Sequence, residues 1–180
     1  MTLAGPPDVS AWLRTASRLP MLQPAERHSD VSLDRHEIEK LLPQRGTFLL
    51  IDAITHIDRL RATVACRYSL DRAGPILHGH FPGEPVWPGV LHVEAVGQAG
   101  LCLIRLLGEP DGAAPHSSFV LTHILGAHFI HPITPDNGDI EIVARVIPDG
   151  LFNIVIGQCL QRDAVCSAAV VRGISKETET

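Results

Sequence analysis

The chain has no excess of basic charge, no metal-binding cysteine pair and no nucleotide loop, and each gap closes off a class of function. Lys and Arg total 15 against 20 Asp and Glu, giving a net charge of −5 and a pI of about 6.0. That balance carries no electrostatic footprint for nucleic acid. The four cysteines, Cys66, Cys102, Cys159 and Cys166, form no CxxC pair. They are expected to be buried thiols of a reducing cytosol. Neither GxxxxGK(S/T) nor GxGxxG occurs, so no nucleotide or nicotinamide cofactor is expected. Ser117 and Ser118 lack a GxSxG frame, which argues against a serine nucleophile. No window reaches 18 apolar residues and the first residues do not run basic then apolar, so a soluble, cytoplasmic protein without membrane contact is expected. Ten histidines are present, and His123, His128 and His131 lie close together in sequence. No HExxH or Cys/His spacing accompanies them, so no metal is expected.

What is there is concentrated between residues 78 and 100, HGHFPGEPVWPGVLHVEAVGQAG. Two histidines, His78 and His80, precede a stretch stiffened by Pro82, Pro85 and Pro88. An apolar helix then carries Glu94 and Gln98. Pro88 suits a first helical position, where its missing N–H costs nothing. The Gly89 N–H is then an unpaired donor at the helix start, with no side chain to block an approaching ligand. Glu94 and Gln98 are four apart, share a face and can hydrogen-bond. His92 falls about 200° away around the helix and is expected to point elsewhere. Gly97 and Gly100 each cost roughly 1 kcal/mol against Ala inside a helix, which close packing against a sheet would explain. A histidine titrates near neutrality and suits a proton-abstracting base. A carboxyl in an apolar pocket has its pKa raised, which suits an acid. A free backbone N–H can hold a carbonyl oxygen on which charge develops. Base, acid and oxyanion donor are the parts needed to eliminate water β to a thioester.

The rest of the chain reads as one domain. A short helix fits residues 10–19 and a second fits 32–42, capped by Ser32. Strands fit residues 48–57, 60–70, 119–130, 139–147, 151–161 and 164–173, with turns between them. Residues 71–87 read as a loop. The order is helix, two strands, long helix, four strands: an α+β layout with an antiparallel sheet around one helix. Residues 1–31 are set apart as an N-terminal extension, either a poorly ordered arm or a clasp over the core or a partner, and 32–180 as the domain proper.

HFPGEPVWPGVLHVEAVGQAG resembles the active-site segment of the FabZ-type 3-hydroxyacyl-(acyl-carrier-protein) dehydratases, which have the hotdog fold. The similarity extends to LLPQRGTFLLIDAI (residues 41–54), similar to LPHRYPFLLVD. It also takes in AHFIHPITPDNGD (residues 127–139), similar to KFRRPVVPGD. The resemblance implies a hotdog sheet of five to six strands around the central helix. It implies that His80 and Glu94 are catalytic and that Gly89 and Gln98 bind or orient the substrate. Glutamate rather than aspartate at position 94 points to a dehydratase that does not isomerise. The implied substrate is a 3-hydroxyacyl thioester on an acyl carrier protein, in fatty-acid or polyketide/polyene synthesis. The implied assembly is a homodimer or trimer of dimers, each site built from both chains. An acidic chain would need a local basic patch for an acidic carrier protein, and Arg59, Arg61, Arg67 and Arg105 are the candidates. The chain departs from the pattern at Gly46–Thr47, at His128 and His131, and by two residues inserted before Gly138–Asp139. Two rivals are a hotdog thioesterase, which would need no histidine at position 80, and a non-catalytic subunit of a heterodimeric dehydratase.

Overall fold

The computed structural model describes residues 8–27, 32–108 and 117–177. The expected loop after the central helix lies mostly outside them, as do the first seven residues and the last three. Six strands form one antiparallel sheet: β1 (Ala53–Asp58), β2 (Thr63–Tyr68), β3 (Ser117–Phe129), β4 (Ile140–Asp149), β5 (Phe152–Gln161) and β6 (Ala164–Glu177). Their order across the sheet is β1-β2-β4-β5-β6-β3, so β1 and β3 are its edges. Helices α1 (Val9–Ala16), α2 (Arg35–Leu41), α3 (Gly74–Gly79) and α4 (Gly89–Gly108) complete the fold. This is the expected hotdog layout.

Alternation along the strands sends one set of side chains to each face of the sheet. Val64, Cys66, Ile142, Ala144, Val155, Cys159, Ala169 and Val171 face α4 and form the main core with Val96, Ala99 and Leu103. A Cβ on Gly100 would come within 2.5 Å of Val155 Cγ1, so this glycine lets α4 lie directly on β5. Nothing lies within 4 Å of the same position on Gly97. Close packing therefore explains Gly100 and not Gly97, which opens onto a cavity described below. Helix α4 is long and apolar enough to cross a membrane by length and composition alone. Its burial within the sheet and its Glu94, Gln98 and Arg105 mark it as the core helix of the domain.

The opposite face of the sheet is also apolar, and residues 8–27 cover it. Leu13 and Ala16 of α1 pack on Ile154, Ile156, Ala168 and Val170. Leu22 packs on Ala65, Val143, Leu160 and Val165. Gln158, fully buried on β5, accepts from the Met21 N–H at 2.7 Å and donates to the carbonyls of Ala16 and Leu19. Arg27, also buried, donates to Leu22 O, Asp163 and Glu141. This stretch forms a clasp over the sheet.

Several boundaries differ from expectation. Asp34, not Ser32, caps α2: its carboxylate accepts from the Glu37 N–H while Glu37 accepts from the Asp34 N–H. Residues 48–52 do not open β1, because the Leu50 N–H donates to the Gln98 side chain instead of to a neighbouring strand. The expected loop at 71–87 contains a 3-10 turn, Leu70–Ala73, and α3. Arg105 is buried and donates to Leu41 O, so it is no docking residue.

Candidate active site

His80 follows α3 directly, and its backbone N–H donates to Leu77 O. Its ring is fixed by Nδ1, 2.8 Å from Val86 O. A carbonyl can only accept, so Nδ1 is the donor and Nε2 is left for another partner. The Val86 N–H returns a bond to His80 O at 2.8 Å, and Phe81 stacks on the imidazole at 4.0 Å between centroids. The ring is thus oriented by its own loop, with Nε2 left over.

Glu94 sits on α4 and lines a cavity of about 350 Å³ with Gln44, Phe48, Gly97, Gln98, Leu101 and Val120. Gln98 Nε2 donates to Glu94 Oε1 at 2.8 Å and to Phe48 O at 2.8 Å, while its Oε1 accepts from Leu50 N at 2.9 Å. The Leu50 N–H demands an acceptor and the Phe48 carbonyl a donor, so the amide has only one workable orientation. Its remaining N–H must point at Glu94. Oε1 of Glu94 is therefore occupied as an acceptor, and Oε2 is the oxygen left for another partner.

Gly89 opens α4, with Pro88 immediately before it, where the first N–H groups have no partner inside the helix. Gly89 borders a second cavity, about 420 Å³, with Trp87, His92, Phe129 and His131. A Cβ on Gly89 would lie 3.0 Å from the Phe129 ring, so a larger residue would push that ring aside.

The structure joins Glu94 to Gln98 directly. Within one chain it does not bring His80 to them: His80 is not among the residues lining the Glu94 cavity. His92 turns away from Glu94, as its helical position requires. Its Nε2 faces Trp87 O at 3.3 Å and its Nδ1 faces Ser167 Oγ at 3.0 Å. Burial lowers its pKa to about 4, so the ring is neutral and structural. His78 borders a separate apolar hollow with Phe81 and Pro85. His128, one of the departures from the family pattern, has a local reason: its Nδ1 lies 2.9 Å from Ser17 Oγ on the clasp. The cysteines are free and buried. Burial pushes the Cys102 and Cys159 thiols up to about 12, which leaves them unreactive. Gln44 was not singled out by sequence; only its place three residues after Leu41 in the matched segment could have drawn notice to it.

Comparison with known proteins gives the family. The family model of the FabA-like domain matches residues 42–156. A 3-hydroxyacyl-(acyl-carrier-protein) dehydratase FabZ of Campylobacter concisus is 32% identical over 146 residues, covering 79% of this chain and 97% of that protein. The FabZ of an Acidovorax species is 39% identical over 122 residues, 67% of this chain and 82% of its own. Among solved structures, the dehydratase heterocomplex ApeI:P from Xenorhabdus doucetiae aligns with a TM-score of 0.59 at 16% identity, covering 78% of this chain and 91% of that one. A mutant thioesterase from Pseudomonas aeruginosa aligns with a TM-score of 0.58 at 15% identity, over 81% and 96%. These two likenesses speak to the fold alone, whereas the family match and the FabZ relatives cover most of the sequence with the site in it. The chain belongs to the FabA-like domain family.

Proposed function

We propose that the protein is a 3-hydroxyacyl-(acyl-carrier-protein) dehydratase that converts its substrate to the trans-2-enoyl thioester. Nε2 of His80 takes the α-proton. The Gly89 N–H holds the thioester oxygen while enolate charge builds. Oε2 of Glu94 protonates the hydroxyl as the Cβ–O bond breaks, and water leaves. The observation that carries this reading is the Glu94–Gln98 pair: an amide with no other orientation open to it presents one carboxyl oxygen to a cavity. The FabZ relatives name the same activity.

The site is completed by a second chain. Edge strand β3 exposes Val120, Leu121, Ile124, Leu125 and Phe129. A long apolar edge with unpaired backbone groups is a template for pairing. Two chains joined along β3 would bring His80 of one chain to Glu94 of its twin, next to the Val120 and Leu121 wall of the Glu94 cavity. The reduced, buried thiols fit a cytoplasmic enzyme.

The test is product analysis by mass spectrometry with 3-hydroxyacyl carrier-protein substrates. The purified chain is expected to release 2-enoyl product and no free thiol. Glu94→Gln is expected to lower the rate about 10²–10⁴-fold with the melting temperature nearly unchanged. Free thiol as the main product would instead mark a thioesterase.

A further inference from the structure

Gly97 lies in the middle of α4 and lines the Glu94 cavity. A Cβ at this position would find no atom within 4 Å, so the space in front of it is open. Gly100, three residues on, differs: its Cβ would strike Val155 of β5. A glycine inside a helix is less favourable than an alanine. Packing within the chain thus requires the glycine at 100 and leaves the one at 97 without a steric reason. Its effect is to set back one wall of the cavity. Val93, Glu94, Gln98 and Leu101 project side chains from α4, and Gly97, which shares a face with Glu94 and Leu101, projects none.

We infer that Gly97 is a specificity-determining residue: by carrying no side chain it keeps the channel beyond Glu94 open to the tail of a medium- or long-chain 3-hydroxyacyl thioester. The inference rests on the dehydratase reading, which puts C3 of the substrate at Glu94. Gly89, the donor to the thioester oxygen, borders a different cavity. The thioester end therefore leaves the Glu94 cavity, and the carbons beyond C3 stay in it. Phe48, Leu101, Val120 and Leu121 give that tail an apolar wall. On α4, Gly97 is about 4.5 Å beyond Glu94 along the helix axis, and Leu101 about 10.5 Å. A tail running from Glu94 toward Leu101 passes over Gly97, and a methyl group there stands in its path. A chain that ends one carbon past C3 does not reach it.

The experiment compares kcat/KM for 3-hydroxybutyryl and 3-hydroxydecanoyl carrier-protein substrates in wild type, Gly97→Ala and Gly97→Leu. The decanoyl-to-butyryl ratio is expected to fall about tenfold in Gly97→Ala and further in Gly97→Leu. Gly97→Ala is also expected to melt higher than wild type, because alanine is the better helix former. Activity lost on the long chain then cannot be laid to a weakened fold. Should Gly97→Leu not fold, Gly97→Ala alone decides. A constant ratio overturns the inference, as does a lower melting temperature in Gly97→Ala, which would show the position to be packed. Dissociation of the Gly97→Ala dimer on size-exclusion chromatography also overturns it, because the gap would then hold the second chain and not the acyl tail. Failure of the wild-type chain to make any 2-enoyl product overturns the dehydratase reading itself, a separate result read before any variant is compared.

Discussion

At the scale of single residues, the site depends on which polar atoms are already satisfied. Glu94 and Gln98 could be paired from their spacing alone, because an interval of four residues puts side chains on one face of a helix. The direction of that pair could not. It is set by Phe48 and Leu50, some fifty positions away, which hold the amide in one orientation. His92 is the contrasting residue, legible as pointing away from Glu94 and yet not as a source of acid sensitivity. Its folded pKa lies at about 4 against an ordinary 6.5, because burial disfavours the charged ring. Between those values the unfolded chain binds a proton that the folded chain refuses. Stability is therefore retained above pH 6.5 and lost as pH falls toward 4, by about 3 kcal/mol in all. His92→Gln should remove this component: its stability difference from wild type, measured by urea unfolding, is expected to narrow by about 2 kcal/mol between pH 7 and pH 5. A difference that stays constant over that range would mean that His92 protonates freely in the fold.

At the scale of elements, hydrophobic period located most strands and the central helix, and turn chemistry separated them. The boundaries missed were those decided by tertiary partners. Residues 48–52 carry a strand-like apolar run, but the Leu50 N–H is claimed by Gln98 on α4. Gly97 and Gly100 look alike in sequence, yet one faces a cavity and the other Val155. The clasp was undecided for a similar reason. Its Leu13, Ala16 and Leu22 gain a burial partner only when the outer sheet face, itself apolar, is known. Gln158 holds this element to the sheet through three backbone groups. Gln158→Leu leaves those groups without partners, at a cost of about 1–3 kcal/mol, which peeling of the clasp would relieve. Limited proteolysis is expected to cut residues 8–27 faster in this variant, with a lower melting temperature. Catalysis should persist, since the clasp lies on the face away from α4. Unchanged protease resistance would show that apolar contacts alone retain the clasp.

At the scale of the whole molecule, the two residues proposed as base and acid, His80 and Glu94, do not line one cavity within a single chain. His80 is oriented by the loop after α3, whereas Glu94 faces the cavity beside edge strand β3. The two-fold assembly through β3 proposed above would resolve this, since an isologous interface places each chain's residues opposite the other's. The consequence is a specific complementation. His80→Asn and Glu94→Gln are each expected to fall about 10²–10⁴-fold in rate, because every site lacks one partner. In a mixed dimer, His80 from the Glu94→Gln chain meets Glu94 from the His80→Asn chain, and one of the two sites is whole. Random exchange makes half of all dimers mixed, so an equimolar mixture refolded together is expected to recover about a quarter of wild-type dehydration. Each variant refolded alone should recover no more than about 1% of it. If the mixture stays inactive although size-exclusion chromatography and mass labelling show that chains have exchanged, then His80 and Glu94 act from the same chain or not together. The β3 edge would then have to be assigned to assembly alone, without a share in the chemistry.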